Sequence, residues 1–149
     1  MKKYDAVIVF LCGEPLTLIG NVALIKSATA IGSLQGKPVV HHAEESKIAR
    51  REGKYLSTLK FVEIFAATAR NNGWKKVLVV AAPFHAPRCV RDLKKYGFQA
   101  EADDSFKGQE GLFFSPSSEQ WWTRFPFVCV LREFILRSIP WWLYKKITG

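Results

Sequence analysis

Two continuous apolar runs decide how this chain can fold. Ala6 to Leu11 and Val77 to Ala82 are unbroken stretches dominated by Val, Ile, Leu and Ala. A strand without polar alternation is buried on both faces, as in a parallel sheet covered by helices on either side. The segments around these runs complete the pattern. The first strand, read over Tyr4 to Leu11, stops at Cys12-Gly13. Between Pro15 and Leu34, apolar residues such as Ile19, Val22, Leu24, Ala28 and Ile31 give a mostly buried helix that Gly36 and Pro38 end. Val39-Val40 reads as a short second strand. Leu59, Val62, Phe65, Ala66 and Ala69 set one stripe of a helix from Ser57 to Asn71 against a core. After the strand Lys76 to Ala82, a helix with Pro87 in its first turn and Gly97 at its end leads to an edge strand at Phe98 to Ala102. This alternation predicts an α/β sandwich with a mostly parallel sheet and right-handed crossovers. His41 to Tyr55 is charge-dense and reads as a loop or an exposed helical turn.

At 149 residues the chain has room for one domain with a real core. A change of character divides it into a body, 1–117, and a helical tail, 118–149, that packs on the same domain. The tail is aromatic-rich, with Trp121, Trp122, Phe125, Phe127, Phe134, Trp141, Trp142 and Tyr144. Ser117 with Gln120 resembles a capping box opening a helix that Pro126 breaks. Phe127, Leu131, Phe134 and Ile135 then mark an amphipathic helix ended by Pro140. Two uses of these aromatics are open. Trp121, Trp122, Phe127, Leu131 and Phe134 can cover a sheet face, or Trp141 and Trp142 with Lys145 and Lys146 can sit at a membrane interface.

A net charge of +9 favours anionic company, whether phosphate ligand, nucleic acid or acidic membrane. Most of the excess lies in two segments, +5 in Trp74 to Gly97 and +3 in Ser118 to Gly149. Lys75, Lys76, Arg88, Arg91, Lys94 and Lys95 would form a basic stripe, but no nucleic-acid motif accompanies them. Cys12, Cys89 and Cys129 sit singly in apolar stretches, which points to a reducing, cytoplasmic setting, while the aromatic tail allows a membrane-peripheral one. Met1-Lys2-Lys3 before an apolar run resembles a signal peptide, yet Asp5 precedes the run and Glu14-Pro15 closes it without a cleavage site. Leu16 to Leu34 carries too many polar residues for a membrane span.

Chemistry concentrates where the second buried run turns into a helix, Ala82-Pro83-Phe84-His85-Ala86-Pro87-Arg88. At the carboxyl ends of parallel strands, helix N-termini converge on one crevice and favour an anion. Arg88 supplies a fork of donors, and His85 can donate to the same anion or act as general acid and base. The alternative is structural, with His85 capping the helix and Arg88 pairing with Asp92.

Trp74-Lys75-Lys76-Val77 through His85-x-x-Arg88 resembles the hallmark of the YdcF-like family, which includes the SanA and ElyC envelope proteins. In that family the strand is followed by an aromatic, a His and, three residues on, an Arg. Upstream, Glu52-x-x-Tyr55-x-Ser57-Thr58 lies at the distance of the family's Glu-x-x-Ser-x-Asn-Thr motif and matches it at Glu52 and Thr58. The resemblance, over Tyr4 to Gly97, implies a Rossmann-like three-layer domain with a pocket over the carboxyl edge of the sheet. It implies ligand contacts from Gly13, Ser57, Thr58, His85 and Arg88, with His85 and Glu52 as catalytic candidates. The ligand implied is phosphate-bearing or nucleotide-like, S-adenosylmethionine included, and the reaction a group transfer in envelope-precursor metabolism. The competing expectation is a non-catalytic binding or membrane-peripheral protein that has lost the acidic residues of the motif.

Weaker signals point to no additional chemistry. His41-His42 with Glu44-Glu45 lacks the spacing of a metal site, and no metal is expected. Cys12 opposite His85 has no third, orienting group. Gly13 is not part of a G-x-G-x-x-G loop, which removes support for nicotinamide or flavin binding.

Overall fold

A computed structural model of the chain describes residues 4–13 and 15–149; expectations that involve residues 1–3 and Glu14 lie outside these. Four parallel strands form one sheet in the order β2-β1-β3-β4, with β1 at Ala6–Phe10, β2 at Val39–His41, β3 at Lys76–Ala81 and β4 at Gln99–Ala102. The architecture is the expected α/β, Rossmann-like sandwich. Side chains of β1 and β3 alternate between two cores. Ala6, Ile8 and Phe10 with Val77 and Val79 face Phe61, Phe65, Cys89 and Leu93 from α3 (Thr58–Asn71) and α4 (Ala86–Lys95). Val7, Val9 and Val80 face Leu24 and Ala28 of α1 (Ile19–Gln35), together with Phe106 and Phe113. Full burial on both faces is the physical reason these strands read as continuous apolar runs.

Helix ends follow the local chemistry. Gly36 takes a left-handed φ of 60° to close α1, and Ser57 accepts the Lys60 N–H to open α3. The charge-dense stretch after β2 forms a true helix, α2 (Ala43–Arg51), with Glu44 and Glu45 in its first turn and Arg50 and Arg51 in its last, where each sign suits the helix dipole.

The tail departs from expectation. Residues after Ser117 form only a short 3-10 turn at Trp121–Thr123, and Pro126 opens the next helix instead of breaking one. This helix, α5 (Pro126–Ser138), buries Cys129, Glu133 and Leu136 and leaves Phe127, Leu131 and Phe134 facing outward. Those aromatics, with exposed Trp121, do not cover the sheet: α1 already covers one face and α3 with α4 the other. The last helix, α6 (Trp141–Thr148), inserts Tyr144 beside Leu59 and Leu136. Trp141 also turns inward, stacked on Tyr144 with ring centroids 5.4 Å apart. No helix among the described residues is long and apolar enough to cross a membrane.

Candidate functional site

Chain order places the site before any side chain is considered. The connection from β1 runs to one side of the sheet, toward β2, and the chain returns to add β3 and β4 on the other. The crevice between the carboxyl ends of β1 and β3 is therefore the topological switch point, where open parallel sheets bind ligands. A cleft of about 100 Å³ opens there. Phe10 to Gly13 line it from β1, Phe84 and His85 from β3, Ser57 and Thr58 from the start of α3, and Cys129, Arg132 and Glu133 from α5. A larger hollow of about 400 Å³ lies beside β4, lined by Lys94, Glu101, Asp103, Asp104 and Lys107 and away from the switch point.

Of the expected ligand contacts, Gly13, Ser57, Thr58, His85 and Arg88 all border this cleft. Gly13 has φ 80°, and a Cβ there would lie 3.0 Å from the Ser118 hydroxyl. Ser57 is committed to capping α3. Glu52 is elsewhere: because α2 runs on to Arg51, Glu52 falls at its C-terminal cap, exposed and 3.8 Å from Lys54. A catalytic role for Glu52 has no support in this arrangement.

Arg88 has a different partner from either one expected. Its guanidinium is buried, 3% exposed, and grips Glu133 in a fork, Nε to Oε2 at 2.6 Å and Nη2 to Oε1 at 2.9 Å. Nη1 donates to the Tyr144 hydroxyl at 3.0 Å, and that hydroxyl donates to Asp92. Asp92 also receives Arg91, which stacks over the Tyr144 ring at 4.3 Å. Arg88 and Arg91 thus turn inward and leave the basic stripe. With its fork filled by a carboxylate of the protein itself, Arg88 holds Glu133 in place and is not open to a free anion.

Glu133 in turn orients His85. Its Oε2 lies 3.2 Å from His85 Nδ1. Arg88 Nη2 lies at the same 3.2 Å from Nδ1, so a proton on Nδ1 serves the carboxylate and a lone pair there serves the guanidinium. The other ring nitrogen, Nε2, faces the Thr58 hydroxyl at 3.5 Å, the outer limit of a hydrogen bond. The arrangement is carboxylate, imidazole, hydroxyl, the order in which a histidine moves a proton to or from an oxygen. His85 also occupies the N-cap position of α4, yet its side chain makes no cap bond. Burial works to raise the Glu133 pKa, but its contacts with His85 and with the Arg88 guanidinium outweigh it and hold the carboxyl well below its usual range.

No protein-family model, no curated protein and no solved structure matches the chain.

Other groups at the cleft have structural partners. His42 accepts the Leu11 N–H at Nε2, 3.2 Å, and meets Ser46 at Nδ1, 2.7 Å, which fixes a neutral ring. Burial lowers its pKa from 6.5 to about 4. This histidine pins the end of β1 and is not part of an exposed loop. Among the described residues no cluster of His, Cys, Asp and Glu can hold a metal ion. The neighbouring Cys129 thiol, with burial, pushes the Cys12 pKa up, the opposite of what a nucleophile poised against His85 needs. Arg132 borders the cleft 5.0 Å over the Trp122 ring, its Nη1 donating to Glu133 Oε1 at 3.3 Å; half-exposed where Arg88 is buried, it is the guanidinium better placed to meet a ligand. Sequence reading missed Glu133, Arg132 and Tyr144. Their one signal was that Glu133 is the single acidic residue in 120–149.

Proposed function

We propose that the chain binds a small phosphate-bearing group at the carboxyl edge of its sheet, with His85 as the proton-transfer residue. The observation that carries this reading is the fixed series Glu133, His85, Thr58 at the mouth of the cleft. Arg132 is the cation assigned to the ligand, with the N-terminus of α4 adding partial positive charge. Arg88, assigned from the sequence to grip the ligand, has instead the role of positioning Glu133. The volume of about 100 Å³ suits a phosphate or similar headgroup. A nucleotide or S-adenosylmethionine would need the larger pockets typical of such ligands, of roughly 300–1,000 Å³, so the rest of such a molecule would lie outside the cleft. The chemistry is phosphoryl or other group transfer, with Nε2 of His85 taking or giving the proton. The resemblance to YdcF-like proteins supports this class and an envelope-precursor substrate. Three cysteines in apolar settings support a reducing, cytoplasmic location.

A thermal-shift screen of inorganic phosphate, isoprenoid phosphates, nucleotides and S-adenosylmethionine tests the reading on wild type, Arg132→Ala and His85→Gln. A stabilising phosphate compound whose effect drops in Arg132→Ala is the expected result. Stabilisation indifferent to both substitutions would refute the assignment of the cleft.

A further inference from the structure

From the outward face of α5 we infer that this helix seats the protein on an anionic lipid surface. Phe127, Val130, Leu131, Phe134 and Ile135 recur at the spacing of one helical face, opposite the Cys129, Glu133 and Leu136 that pack inward. Phe127 is 77% exposed and Phe134 59%, and Trp142 on α6 adds a third large ring at 69%. Single exposed apolar residues are ordinary, whereas an entire helix face of them marks an interaction surface.

The charges beside this face select the occupant. Residues 120–149 contain one acidic side chain, Glu133, and it is buried under Arg88. Exposed on the same two helices are Arg137, Lys145 and Lys146, with Arg124 just before them. Two helices that expose apolar residues, a tryptophan and cations but no acidic side chain fit the boundary of an anionic bilayer. A second copy of the chain fits worse, because a two-fold contact through this face would set these cations against their own equivalents. The inference is independent of the chemistry of the cleft, although the two meet at α5, which shows its polar face to the cleft and its apolar face outward.

Flotation of the full chain tests it, with vesicles of phosphatidylcholine mixed with phosphatidylglycerol and vesicles of phosphatidylcholine alone. The wild type should rise with the mixed vesicles, rise less with the neutral ones, and be partly released by added salt. In F127S/F134S, at positions where the fold does not depend on the rings, partitioning should fall at least about tenfold with the thermal midpoint unchanged. K145E/K146E should remove the preference for anionic lipid. Wild type that stays with the soluble fraction in both vesicle types overturns the inference. So does binding unaffected by both variants, or a concentration-dependent dimer in light scattering that F127S/F134S abolishes while vesicles capture nothing.

Discussion

Helices α4 and α5 lie against each other and invert the usual partition of side chains in opposite ways. Helix α4 buries charge, with Arg88 and Asp92 among its most enclosed residues, whereas α5 turns its aromatics to solvent. The two inversions have one cause. Arg88 needs a buried carboxylate, and Glu133 is the acid that α5 offers, so α5 must face inward on the side that carries Glu133. The apolar stripe on the opposite side then has no choice but to face out. A buried ion pair has overruled hydrophobic patterning, because leaving one charge buried without its partner costs more than leaving several apolar rings in water.

Removing one member of the pair should have the largest effect. Glu133→Ala leaves Arg88 buried without its fork and should lower stability by about 3–5 kcal/mol, read from denaturant unfolding. The double substitution Arg88→Met with Glu133→Leu should recover much of that loss, since neither charge remains. A loss no larger than that of a surface substitution would mean that the ion pair does not set the orientation of α5.

Acid provides a second, separate test. The pKa of His42 is lowered from 6.5 to about 4 in the fold, so protonation favours the unfolded chain. Its contribution is complete above pH 6.5 and is lost as pH falls toward 4, about 3 kcal/mol in all. Glu133, with its pKa also lowered, acts in a lower window, starting below 4.5. Stability followed from pH 7 to pH 4 should therefore decline in wild type and flatten in His42→Gln, while Glu133 is still ionised over most of that range.

Tyr144→Phe perturbs the same buried network from α6. Loss of the hydroxyl between Arg88 and Asp92 should cost about 1–3 kcal/mol, because both charges stay buried with one fewer bond. The smallest effect is expected on the outer face of α5. Phe134→Ser should change stability by less than about 0.5 kcal/mol in aqueous buffer. A large loss there would show that the ring packs in solution and that α5 is not inverted.

Much of the fold was legible because it depends on local pattern. Continuous Val and Ile runs, helical stripes, Ser57 as a cap and Pro87 in a first turn each carry their own structural signal. Helix α2 was not legible: its residues carry no apolar stripe, and what holds it is His42 bonded to Ser46 and to the end of β1. Half the site was legible as well. His85 and Arg88 stand at a strand-to-helix junction, where the sheet topology makes a crevice. Glu52 was misplaced by relying on its spacing from Thr58, which does not reveal that an intervening helix end turns it to solvent.

Periodicity and strand order are properties of neighbouring residues, and they were enough to specify a parallel α/β sheet with His85 at its carboxyl edge. What Arg88 holds and which way α5 faces depend on contacts between distant parts of the chain. A charge near the end of the chain meets one on α4 across 45 residues of sequence, and the free energy of that pairing depends on burial, which no local pattern records.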